Sequence, residues 1–92
     1  LVAYKEILEK YKNPKIISFV AGIKSKKYLK VDPNVEFLRA MPNTSSKFNL
    51  GITAFFNSSF RKNSLKKAIA ILKRVGIIIE LEKEIKIDAL LD

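Results

Sequence analysis

The sequence predicts an α/β fold: a mostly parallel sheet with helices on its faces. Two observations carry that prediction. Segments with helical and strand periodicity follow one another in the order α-β-α-β-β-α-β, with a short ambiguous tail. The strand segments are near-continuous apolar runs rather than alternating ones, the kind buried on both faces of a sheet. Three to four strands make a small sheet for this architecture. The apolar tail, with Ile85, Ile87, Leu90 and Leu91, has no evident partner inside 92 residues. Both points lead to the expectation of half of a doubly wound domain. The missing initiator Met adds the expectation of a fragment or processed chain.

Residues 2–12 read as a helix, with Val2, Ala3, Ile7, Leu8 and Tyr11 near one stripe. Asn13-Pro14 should stop it. Lys15 to Val20 reads as a strand buried on both faces, bounded by Pro14 and Gly22. Residues 25–31 form a short helix with Ser25 as candidate N-cap. Asp32-Pro33-Asn34 is a turn. Val35 to Ala40 is the next strand, so strand, helix and strand make a βαβ unit. Pro42 has no N–H, and the strand is expected to stop there. Gly51 to Phe56 is a third strand and 60–75 the clearest helix. Leu65, Ala68, Ile69, Leu72 and Val75 line that helix's apolar face, and Gly76 suits the residue just past its end. Ile77 to Leu81 is a fourth strand, and 83–91 could be a further helix.

Composition excludes several kinds of chemistry. The chain has no histidine and no cysteine, so it holds no histidine-based triad, thiolate metal site or disulfide. The cysteine count fits a reducing, cytoplasmic setting. No apolar run reaches the length of a membrane span, and no signal-peptide layout opens the chain. The net charge of +9 raises nucleic acid as a partner. The excess is mostly lysine, which reads as solvated surface, and neither nucleic acid nor a membrane is the expected partner. Lys24, Lys26, Lys27 and Lys30 fit a surface helix. Phe55, Phe56 and Phe60 fit the core better than a base-stacking platform. The acids, Glu84 among them, read as solvated or ion-paired, and no catalytic pair stands out. Gly22, Gly51 and Gly76 are isolated, so no phosphate loop is present.

Two strand ends remain as candidates. One is Ser18-Phe19-Val20-Ala21-Gly22; the other is Arg39-Ala40-Met41-Pro42-Asn43-Thr44. If their strands are sequential and parallel, both ends open on one edge of the sheet, where open α/β sheets bind ligands. Ala21 and Gly22 leave room for a flat group, and Asn43 and Thr44 offer hydrogen bonds. Ordinary turn chemistry is the plain alternative for Pro42 to Ser46. The arrangement suits the nicotinamide end of a dinucleotide.

From Ile16 to Asp88 the chain resembles the middle of the pyrroline-5-carboxylate reductases. That family reads I-I-S-x-x-A-G-I, matched by Ile16 to Ile23. After a short helix comes R-x-M-P-N-T, matched by Arg39 to Thr44, and then G-x-T-A, matched by Gly51 to Ala54. A helix ending in x-V-G and a short strand follow, matched by Arg74-Val75-Gly76 and Ile77 to Glu80. The resemblance implies a partial Rossmann-like sheet, the C-terminal half of a dinucleotide-binding domain over residues 1–92. It implies an oxidoreductase that reduces 1-pyrroline-5-carboxylate to L-proline with NADPH or NADH. By the same resemblance Ser18, Ala21, Gly22 and Asn43 bind the cofactor, and Met41, Pro42 and Thr44 wall the substrate side. No catalytic residue and no metal ligand is assigned. The enzyme's part is mainly to align two reactants.

Some positions depart from the family pattern. Ser45 stands where a Pro usually follows, and Asn49-Leu50-Gly51 where G-E-G is usual. The Gly-rich loop and the helical dimerisation domain with its S-G-S-G-P stretch are absent. The isolated segment is therefore expected to be inactive, with a homo-oligomeric parent formed through the missing domain. A catalytically inactive paralogue, kept as a binding or assembly module, is the alternative.

Overall fold

The computed structural model describes residues 2–45 and 50–89. Along them run α1 (Val2–Lys10), β1 (Lys15–Ser18), α2 (Ser25–Val31), β2 (Glu36–Ser45), β3 (Leu50–Asn57), α3 (Lys62–Lys73), β4 (Ile77–Glu80) and α4 (Ile85–Ala89). The strands form one sheet in the order β1-β2-β3-β4. β1 pairs with β2 and β3 with β4 in parallel, while β2 and β3 are antiparallel. The predicted α/β architecture is present: a mostly parallel sheet, here with one reversal at its centre.

The alternation of side chains along β2 divides the core. Phe37, Arg39 and Met41 point to one face, Leu38 and Ala40 to the other. On the first face Phe37 stacks on Tyr28 of α2, with centroids 4.2 Å apart, and Tyr4 of α1 meets Tyr28 edge-on at 4.9 Å. Farther along that face, Met41 and Ala54 pack against Ile87 of α4. On the second face Leu38, Ala40 and Phe55 pack with Phe60 and with Ala68 and Leu72 of α3. Burying each large apolar side chain contributes about 1.5–3 kcal/mol.

The two parallel units step across the sheet in the same direction. Their strands point opposite ways, and their helices α2 and α3 lie on opposite faces. Both crossovers therefore have the same hand, as chirality requires.

β2 does not stop at Pro42; it continues through Met41-Pro42-Asn43-Thr44 to Ser45, with Pro42 opposite Thr53. The reason lies in which side each backbone group faces. Phe37 directs its N–H to Ser59 Oγ (2.8 Å), and its carbonyl accepts from the N–H groups of Ser58 and Ser59. Odd-numbered residues of β2 therefore bond toward β3 and even-numbered ones toward β1. β1 ends level with Arg39. At Pro42 the missing N–H would have faced an edge with no strand, where proline is tolerated.

Other expectations need adjustment. Phe19 and Val20 lie beyond β1 and are half exposed, at 53% and 49%, rather than buried in it. Lys24, not Ser25, occupies the N-cap of α2; Ser25 is its first helical residue. Val75 lies past the end of α3 and is exposed, because the helix stops at Lys73. Leu90 and Leu91 lie outside the described residues, as do Ser46 and Asn49.

Candidate functional site

β1 ends in a turn that Ser18 helps to form. Its hydroxyl oxygen accepts the N–H of Val20 at 3.2 Å, a local bond that competes with the sheet ladder. Ala21 and Gly22 follow, both exposed. Gly22 has φ +78, a left-handed conformation that favours glycine. A side chain there would meet nothing within 4 Å, so the space in front of this backbone is open.

Beneath this turn is a buried charge cluster. Arg39 is 1% exposed. Its Nη1 lies 3.2 Å from Glu84 Oε2, and its Nη2 donates to the carbonyl of Val20 at 3.3 Å. The same Glu84 oxygen accepts the N–H of Ser25 at 2.6 Å and its hydroxyl at 2.8 Å. A buried ion pair is costly to desolvate unless further hydrogen bonds support it, and here the Val20 carbonyl supports the guanidinium and Ser25 the carboxylate. The cluster joins the end of β1, the start of α2, the middle of β2 and the approach to α4.

Arg39 and Glu84 were missed as a working unit. The signal was present: Arg39 takes an inward position in the alternation Phe37, Arg39, Met41 and is one of only three arginines in the chain. A charge at such a position demands a buried partner. Nothing local distinguishes Glu84 from Glu80 and Glu82, so the partner could not be named.

The predicted residues fall along one end of the β1–β2 pair. Ser18 is buried and level with Arg39. Met41 to Thr44 continue along β2 past the end of β1, so both strand ends do open on the same edge. At about 3.3 Å per residue, Met41 is some 7 Å and Thr44 some 17 Å beyond Arg39. The Met41 side chain is buried against Ala54 and Ile87, and Pro42 is exposed. The backbones of Asn43 and Thr44 pair with Ile52 and Gly51.

An apolar hollow of about 540 Å³ adjoins the turn, lined by Tyr4, Ile7, Ile16, Phe19, Val20 and Ile23 among others. Among the described residues no group of acids could hold a metal ion, and no helix is long and apolar enough to cross a membrane. Ala21 and Gly22 are small and exposed, and at Gly22 the space where a side chain would stand is open. The described residues include no glycine-rich turn for a pyrophosphate.

No family model matches this sequence. A pyrroline-5-carboxylate reductase from Synechocystis is 34% identical over 73 residues, covering 78% of this chain and 27% of that protein. The structure of a pyrroline-5-carboxylate reductase from Coxiella burnetii superposes with a TM-score of 0.76 at 28% identity. That match covers 96% of this chain and 33% of the other. The chain thus spans about a quarter to a third of the length of these relatives.

Proposed function

We propose that this segment, a relative of the pyrroline-5-carboxylate reductases in sequence and fold, is the second half of a dinucleotide-binding domain. The full-length protein reduces 1-pyrroline-5-carboxylate to L-proline with NADPH or NADH. The observation that carries the reading is the carboxyl end of β1. There the exposed backbone of Ala21 and Gly22 faces open space beside a parallel strand pair, which is where α/β sheets take their ligands.

In this reading Ser18 shapes the turn, and Ala21 and Gly22 lie against the nicotinamide ring. Asn43 hydrogen-bonds at its edge, while Met41, Pro42 and Thr44 wall the substrate side. A bound reduced nicotinamide would supply a hydride to the C=N carbon, and a proton taken up at nitrogen completes the amine. No acid–base pair of this segment is required, because alignment is the main demand. The open edge of β1, the half-exposed Phe19 and Val20 and the neighbouring hollow support a further layer of sheet and helix here. The phosphate-binding loop then lies in that layer. The helical domain that pairs subunits into a homo-oligomer lies elsewhere in the protein, which works in the cytoplasm.

Cofactor-dependent reduction of 1-pyrroline-5-carboxylate by the full-length protein tests this. Turnover is expected there and none from residues 1–92 alone. An inactive full-length protein overturns the function; activity in the isolated segment overturns the half-domain reading. The second reading, an inactive relative serving as a binding or assembly module, is favoured by Ser45 and Asn49-Leu50, which depart from the family pattern. A full-length protein that takes up neither NADPH nor NADH in titration would favour it over the first.

A further inference from the structure

We infer that Arg39, Glu84 and Ser25 form a positioning clamp that sets the Val20–Ser25 loop for its ligand; the ligand's identity rests on the nicotinamide reading above. The clamp holds both ends of the loop. Arg39 Nη2 bonds the Val20 carbonyl where the loop begins. Glu84 Oε2 accepts both the N–H and the hydroxyl of Ser25 where the loop ends. The two anchors are one unit, because Arg39 and Glu84 are themselves paired at 3.2 Å. Between them lie Ala21 and Gly22, exposed and, at Gly22, in a conformation that glycine leaves as readily as it enters. Within the loop only Ile23 packs, half-buried against the Tyr4–Tyr28–Phe37 cluster, while Gly22 has no side chain and Ala21 only a methyl. Anchors at both ends add to the order of the exposed Ala21–Gly22 stretch, and pre-ordering is what converts contacts into affinity.

The planar guanidinium is what allows this. Its separate Nη atoms reach a carboxylate and a carbonyl at once, which a single ammonium does less well. A cluster that only held α4 on the sheet would affect stability without changing the loop. Arg39 and Glu84 are positioning residues in this scheme and touch no reacting atom.

The test uses the full-length protein with Arg39→Lys, Glu84→Gln and Ser25→Ala. Hydrogen exchange of the ligand-free protein is read at amides 20–24 and, as a control, in α3. Arg39→Lys and Glu84→Gln should speed loop exchange by about tenfold or more while α3 keeps its wild-type rates. The Kd for NADPH, from fluorescence titration, should rise on the order of tenfold, with kcat at saturating cofactor near wild type. Ser25→Ala, which keeps the ion pair, should shift both in the same direction by less, and it decides the matter if the charge variants do not fold. Unchanged loop exchange in a folded variant overturns the clamp, whatever the titration gives. Faster loop exchange in a protein that binds neither NADPH nor NADH upholds the clamp and sinks the nicotinamide reading instead.

Discussion

Gly51 and Gly76 meet backbone to backbone where β3 begins and α3 gives way to β4. A side chain on Gly76 would collide with the carbonyl of Gly51, and one on Gly51 would lie 3.1 Å from the carbonyl of Val75. Gly76 also has φ +143, a region that L side chains rarely adopt. Gly76→Ala therefore suffers both strain and overlap. A loss of about 2 kcal/mol or more is expected in denaturant unfolding. Gly51→Ala should lose less, since its neighbour need yield only slightly.

Gly22→Ala makes the opposite case. Its φ of +78 costs an alanine about 1–2 kcal/mol, but no atom stands in the way. Stability should fall modestly. If the nicotinamide ring lies there, the added methyl enters its space, and NADPH titration of the full-length protein should show weaker binding than for wild type. Unchanged affinity would remove Gly22 from the site.

Ser59 ties the start of β2 to the end of β3. Its hydroxyl accepts the Phe37 N–H at 2.8 Å and donates to the Val35 carbonyl at 2.7 Å. Ser59→Ala strands two backbone groups. About 1–3 kcal/mol should be lost, measured by thermal or denaturant unfolding.

These residues also show what the sequence made legible. The element order followed from apolar runs and from the punctuation at Pro14, Gly22 and Gly76, because those signals are local. The extent of β2 did not. Pro42 ends a strand only where its N–H is needed, and that depends on β1 stopping level with Arg39, a relation between distant segments. The clamp was hidden for the same reason: Ser25, Arg39 and Glu84 are far apart in the chain and meet only through the sheet. Of the site, the turn at Ala21 and Gly22 was readable from residue size. The antiparallel pairing of β2 with β3 was not read, since both strands look alike in apolar content.

The Arg39–Glu84 pair should show strong coupling. Glu84→Leu alone leaves a buried guanidinium without its anion and should cost about 3–5 kcal/mol. Arg39→Met with Glu84→Leu should recover much of that loss, since an apolar pair of similar volume avoids the desolvation. A double-mutant cycle in denaturant gives the interaction energy directly. Additive effects would show that the pair is not a unit.

Glu36 gives a pH dependence. The backbone N–H of Arg61 donates to its carboxylate at 2.8 Å and holds its pKa below its ordinary value of 4.5, with smaller help from Ser64, Lys15 and the Arg61 charge. A depressed pKa stabilises the fold wherever the carboxylate is ionised, above the unfolded value. That contribution is lost as pH falls below 4.5 and through the lower folded pKa. Glu36→Gln should therefore flatten this part of the stability–pH curve and leave its neutral part nearly parallel to wild type. An unchanged acid slope would show that the bond has no energetic weight.

The reversal between β2 and β3 gives the sheet two rims with different duties. In a uniformly parallel sheet every strand delivers its carboxyl end to the same rim, and each loop there is answerable to the ligand. Here only β1 and β2 point at the candidate site, while β3 runs away from it to the turn at Asn57–Phe60. That turn is closed by its own bonds, Asn57 to the N–H and carbonyl of Phe60. Sequence changes at the far rim thus act first on folding, through the bonds of Ser59 to Phe37 and Val35 and through buried Phe60, and stand at a distance from the ligand end.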